Sequence, residues 1–281
     1  MKQAPISPPN LAQICQLLAE IAPLKLAEDW DNVGLLIGDR QASIGKVMTC
    51  LTITPDVVGE AEREGVGLIV AHHPFPFKPV AKVTADTASG EMLWRLCRAG
   101  IAVYSAHTAF DSAAGGINDQ WTKALQLADC KPMLPLADNA KLGAGRVGRL
   151  ADQAPAAAIL ELAASFSGST RPRLVGPPDR GISRIGVACG SGGSFVSAAL
   201  RCGCDFLLTG EATFHACLEA ENAGLSLGLV GHYASERFAM DALAQRLQSA
   251  IGELPGAAKS ANDRDMACKV WASHDERDVI G

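Results

Sequence analysis

No stretch of this chain approaches the roughly 20 consecutive apolar residues that a membrane-crossing helix needs, so a spanning protein is not expected. The opening residues, "MKQAPISPPN", hold no apolar segment of the secretory type, and a cytoplasmic location is expected. Polybasic runs are absent, the net charge is −5, and aromatics make up only 5% of the chain. A nucleic-acid partner, which would need a basic surface, is therefore not expected. The nine cysteines include no Cys-x-x-Cys pair, and Cys202 and Cys204 stand too close to make one. They read as free thiols of a reducing compartment. No G-x-x-x-x-G-K-[ST] loop and no G-x-S-x-G elbow occurs. Residues Gly143 to Gly148, "GAGRVG", match G-x-G-x-x-G by letter only. "PLADNAK" before them is no apolar strand and "RVGRL" within and after them is too short for a helix, so no dinucleotide is expected there.

What is present repeats itself. "KVMTCLTIT", "PDVVGEAEREG", "VGLIVAHH", "EMLWRLCRAG" and "IAVYSAH" read as strand, helix, strand, helix, strand. "RIGVACG", "GSFVSAALRCG", "CDFLLTGEA", "FHACLEAENAG" and "LSLGLVGH" repeat that order, and a long amphipathic helix follows each set. Short apolar strands alternating with helices predict an α/β protein built of two similar βαβαβα halves. Gly65, Gly100 and Gly203 follow helices as C-caps would. "NLAQICQLLAEIAP" predicts an N-terminal helix, and a Pro/Gly-rich connector with one helix, "APAAAILELAASFSG", joins the halves. The expected domains are 1–130, and 131–281 including the connector.

Ligands of open α/β sheets bind beyond the C-terminal strand ends. Five of the six histidines fall at or just past such ends: His72, His73, His107, His215 and His232. The third strands match position by position, His107-x-x-x-Asp111 against His232-x-x-x-Glu236. Imidazoles with carboxylates suit borderline divalent cations. One ion does not need His72, His73, His107, Asp111, His232 and Glu236 together, so two ions in one cleft between the halves are expected. The bland readings are hydrogen-bonded structural histidines, an N-capping Asp111 and a surface Glu236. Ser191-Gly192-Gly193-Ser194 opens a helix and reads as an anion cradle or as a plain turn with a serine N-cap. Trp30, Asp31 and Asn32, in a polar turn, are expected to support the site without ligating metal.

At these residues the chain resembles the GTP cyclohydrolase I type 2 family, also called the NGG-one-interacting-factor-three-like proteins. The pieces that carry the likeness are "EDWDNVGLLIGD" (28–39), "AHHPFPFKP" (71–79), "HTAFDSAAGGIND" (107–119), "LLTGEATFH" (207–215), "GHYASER" (231–237) and "SANDRD" (260–265). The resemblance implies an α/β protein with a dinuclear centre of two divalent ions (zinc, manganese or iron) and a toroidal homohexamer built from dimers. It puts the ligands on His72, His73, Asp111, His232 and Glu236, with Glu236 bridging, and puts His107 close to the metals. Ala109 and Met266 stand where the family usually has Asn and Pro, and the connector is that of the compact form. Two functions remain open. One is a metal-dependent hydrolase acting on a small molecule or nucleotide, with His107 or Glu211 moving the proton. The other is a non-catalytic metal-binding or partner-binding protein.

Overall fold

The computed structural model describes residues 8–137, 139–255 and 268–280; "SANDRD" (260–265) and Met266 lie outside the described residues. In chain order the elements begin with α1 (Leu11–Ile21), β1 (Gly34–Ile37), β2 (Lys46–Cys50), α2 (Pro55–Glu64), β3 (Leu68–Ala71), α3 (Ala88–Ala99), β4 (Ala102–Ser105), α4 (His107–Ser112) and α5 (Ile117–Ala124). There follow β5 (Ala128–Lys131), β6 (Leu134–Pro135), β7 (Gly143–Ala144), β8 (Arg146–Pro155), α6 (Ala156–Ser167), β9 (Arg173–Val175) and β10 (Gly181–Ala188). The chain continues through α7 (Val196–Arg201), β11 (Phe206–Thr209), α8 (Phe214–Asn222), β12 (Ser226–Leu229), α9 (His232–Glu236), α10 (Phe238–Glu253) and β13 (Lys269–Ala272). The α/β expectation holds. Among the described residues no helix is long and apolar enough to cross a membrane.

Local chemistry explains where the helices begin and end. In α1 the Asn10 side chain accepts from Gln13 N while the Gln13 side chain accepts from Asn10 N, a reciprocal cap. Leu11, Ile14, Cys15, Leu18 and Ile21 then bury one face at helical spacing. Thr54 caps α2 with Pro55 in its first turn, and Thr87 caps α3. Both helices stop at a left-handed glycine, Gly65 and Gly100.

Two compact units result. The first comprises residues 1–110 and 240–277 and holds a sheet of order β1-β4-β3-β2-β13. Here β13, β2, β3 and β4 run parallel and β1 runs antiparallel to β4. Strands β2, β3 and β4 are buried almost throughout, as parallel strands covered on both faces must be. The second unit comprises 111–239 and 278–281, with order β5-β8-β10-β11-β12-β9. Here β10, β11 and β12 run parallel, flanked by antiparallel β8 and β9. Both sheets thus contain three parallel strands in chain order with an antiparallel strand beside the third. In each case a helix (α1, α6) and that antiparallel strand come first in the chain, so the recurring segment is longer than βαβαβα.

The units do not divide at residue 130. Asn118 Oδ1 accepts from Cys189 N at 3.0 Å, and Asp119 binds the Arg146 guanidinium, which ties 111–130 to the second unit. Strand β13 pairs with β2, and Thr49 Oγ1 donates to Met240 O at 2.9 Å, which returns α10 from Met240 onward to the first. Glu60, 1% exposed, accepts from Ser273 Oγ at 2.5 Å and from His274 N and Asp275 N at 3.1 Å, fastening the segment after β13. Residues 143–148 run through β7 into β8 and no helix opens at the last glycine, so the glycine pattern there is a strand feature.

Candidate metal centre

In the first unit β3 ends at Ala71, but its pairing with β2 continues. His72 N donates to Cys50 O at 2.9 Å and His73 N to Leu51 O at 2.8 Å. Past the strand the chain bends, strict alternation lapses, and the two imidazoles converge to 5.1 Å between ring centres. His72 is buried and His73 partly so. His107 joins them from the end of β4. Its N–H donates to His72 O at 3.1 Å, and its φ of 22° is one that side-chain-bearing residues seldom adopt. Its ring lies 5.2 Å from that of His72 and 5.6 Å from that of His73. One nitrogen from each of the three falls within 4.8 Å of the others, a grouping able to hold a metal ion.

For His73 and His107, partners on the far side of the ring set which nitrogen is offered. Thr52 Oγ1 lies 2.6 Å from His73 Nδ1, and Asp31 Oδ1 lies 2.7 Å from His107 Nδ1. Burial alone would raise the Asp31 carboxyl. Hydrogen bonds from His107 and Thr108 outweigh it and hold the pKa down at about 2. Of the 30–32 turn, Asp31 is the residue that reaches His107 by a hydrogen bond. Trp30 packs edge-on to His107 at 5.9 Å, and Asn32 Nδ2 donates to Pro76 O at 3.0 Å.

The second unit builds its own set on α9. His232 and Glu236 stand one helical turn apart on one face, and His232 Nε2 meets Glu236 Oε2 at 3.1 Å. His232 Nδ1 lies 2.9 Å from Glu211 Oε1. Glu236 first, and then Glu211, raise the His232 pKa to about 9 against the opposing effect of burial. A site of this kind holds a proton where a cation can replace it. Glu236 is buried and its carboxylate lies close against Gly190, where a Cβ would sit 2.3 Å from Oε1.

Asp111 shares α4 with His107 at the same four-residue spacing. Its Oδ1 accepts from the Cys189 thiol at 3.2 Å, and its backbone carbonyl accepts from Asn118 Nδ2 at 3.1 Å. Burial, with Asp111 and Glu236 adding to it, pushes the Cys189 pKa far up, so this thiol stays a donor. Cys189 is the neighbour that sequence reasoning missed. It follows directly on β10, and the strand-end rule applied to His72 and His232 would have found it. His215 is exposed on α8 and joins neither set. The Ser191 hydroxyl donates to Glu211 Oε1 at 2.5 Å and does not cap the helix.

Imidazole nitrogens and carboxylate oxygens, with His73, His107 and His232 each oriented by a neighbour, are the donor chemistry of borderline divalent ions, so these residues fit such a metal. Residues 9–259 match the family described as Duf34/NIF3 (NGG1p interacting factor 3). A Clostridium perfringens protein named "GTP cyclohydrolase 1 type 2 homolog" is 34% identical over 227 residues, 81% of this chain and 87% of the relative. "NIF3-like protein 1" of Drosophila melanogaster is 31% identical over 96% of this chain and 88% of its own length. The crystal structure of a Bacillus cereus protein related to NIF3 superimposes with a TM-score of 0.84 at 21% identity, covering 96% of this chain and 98% of that one, a likeness of fold.

Proposed function

The chain belongs to the Duf34/NIF3 family, and we propose that it is a dinuclear-metal protein acting as a metal-dependent hydrolase. In this reading His72, His73, Asp111, His232 and Glu236 hold two divalent ions, zinc, manganese or iron, with Glu236 touching both. The observation that carries it is the set of hydrogen bonds behind the rings. Thr52 on His73 Nδ1 and Glu211 on His232 Nδ1 leave Nε2 as the forward-facing atom of each. Outer partners of this kind fix tautomer and ring orientation in metal sites.

Two such ions, when bound, supply Lewis-acid activation of water and of an electrophilic carbon or phosphorus. The protein's own part is proton handling and alignment. With Asp31 on Nδ1, His107 turns Nε2 toward the His72 and His73 rings and serves as the general acid–base. Glu211, bonded to both Ser191 and His232, is the alternative proton carrier. The name of the clostridial relative makes GTP the first substrate to try. The assembly proposed is a toroidal homohexamer working in the cytoplasm, in keeping with nine cysteines none of which is in a disulfide.

Elemental analysis of washed hexamer, combined with a turnover screen over nucleotides and phosphoesters, tests the reading. Two ions per chain and turnover that chelation abolishes are expected, and His73→Ala should keep at most one ion. Full stoichiometry in that variant would overturn the ligand assignment. Two ions without turnover would leave a metal-binding protein that is not a hydrolase.

A further inference from the structure

A cavity of about 540 Å³ in the second unit opens against His232 and Glu211. The end of α6 and the turn after it, from Ser167 through Arg173, where the chain enters β9, also line it. Arg171 stands at a bend and Arg173 opens β9, with Pro172 between them, and both line the cavity. Arg173 pairs with Leu229 at the end of β12, three residues before His232. Ser169 Oγ donates to Val230 O at 2.5 Å and fixes this turn to the start of the His232 loop. A second cavity of about 600 Å³ shares Arg173 and Glu211 with the first and extends to Ser191, Ser194 and His215. Arg173 therefore borders both.

The charges around the first cavity are unevenly committed. Glu211 is engaged by Ser191 and His232, and Asp278 accepts from Ile280 N at 2.9 Å. Among the described residues the guanidinium groups of Arg171 and Arg173 make no hydrogen bond or ion pair. Two forked cations lining a roomy pocket that also holds His232 suit phosphate oxygens, which arginine binds in bidentate fashion. The volume is that of a small-molecule site.

We propose that Arg171 and Arg173 form an anion clamp that holds the phosphate group of a small phosphorylated molecule at the His232 end of the site. This rests on the reading of His232 as a metal ligand for its relevance to turnover, though the clamp itself needs only the two arginines. Inorganic phosphate is the probe, titrated calorimetrically into the purified protein with its metal content measured, before and after chelation. Wild type should bind phosphate in both states. Arg171→Ala/Arg173→Ala should weaken that binding about tenfold or more in both, as loss of charge-assisted bonds does, with metal content unchanged. Arg171→Lys/Arg173→Lys, which keeps charge and loses the fork, should fall between, and it serves if the alanine pair does not fold. Phosphate affinity unchanged in the variants, or binding that vanishes on chelation alone, would place the anion on the metal and overturn the clamp. A protein that takes up no metal yet shows the arginine effect would uphold the clamp and refute the metal reading, so the two fail separately.

Discussion

Replacing Gly190 by alanine perturbs the proposed centre through a single methyl group. The added Cβ would lie 2.3 Å from Glu236 Oε1 and 3.5 Å from His232 Cε1. Ordinary contact requires the carboxylate to retreat by about 1 Å. Metal–ligand distances hold to within about 0.2 Å, so a shift of that size removes Glu236 as a ligand. Gly190 also has φ of +64°, which costs a side-chain-bearing residue about 1–2 kcal/mol. That cost can be measured apart from the clash, because Gly65 has φ of +67° and open space where its Cβ would be. Gly190→Ala and Gly65→Ala should therefore both lower the unfolding midpoint in chelator, by a few degrees. Only Gly190→Ala should lose metal, with at most one ion per chain by elemental analysis. Full metal content in Gly190→Ala, with its fold intact by circular dichroism, would show that Glu236 is not a ligand.

Glu236→Gln should lose more metal than Asp111→Asn, because a carboxylate shared by two ions also offsets their repulsion; equal losses on elemental analysis would mean two separate sites. Asp31→Asn should leave metal content intact but lower turnover, since the Asp31–His107 bond at 2.7 Å orients the proposed general acid–base, and His107→Ala should cost about 10²–10⁴ in rate; loss of an ion in His107→Ala would make it a ligand. Glu60→Gln should destabilise the protein by about 2 kcal/mol, the scale of hydrogen bonds to a charged group. Burial pushes the Glu60 carboxyl up, but bonds from Ser273, His274 N, Asp275 N and Trp271 outweigh it and keep the pKa below the ordinary 4.5. The wild-type advantage in denaturant melts should then be complete above about pH 4.5 and shrink as pH falls further; an advantage independent of pH would remove Glu60's charge from the account.

The sequence by itself determined the alternation of strands and helices, the glycine stops after α2 and α3, and the placing of His72, His73, His107 and His232 at strand ends. Each of these is written within a few neighbouring residues, as side-chain period, cap chemistry or the allowed φ of glycine. His-x-x-x-Asp and His-x-x-x-Glu were legible for the same reason, since four residues make one helical turn. Tertiary structure alone decided that Asp31 bonds His107, 76 positions away, and that Trp121 Nε1 donates to Ser235 O across 114. It also decided that Glu60 holds Ser273, and that β13 comes back to lie beside β2. The pattern of β13, "KVWA", suits any parallel edge; its place was fixed by which edge remained open and by a buried carboxylate that needs donors. Nor does any local signal mark Arg171 and Arg173, which are ordinary surface residues in sequence. They face a cavity beside His232 because β9 runs antiparallel to β12 and ends the sheet there. Contacts across such distances depend on how whole elements pack, and no short window of sequence contains that information.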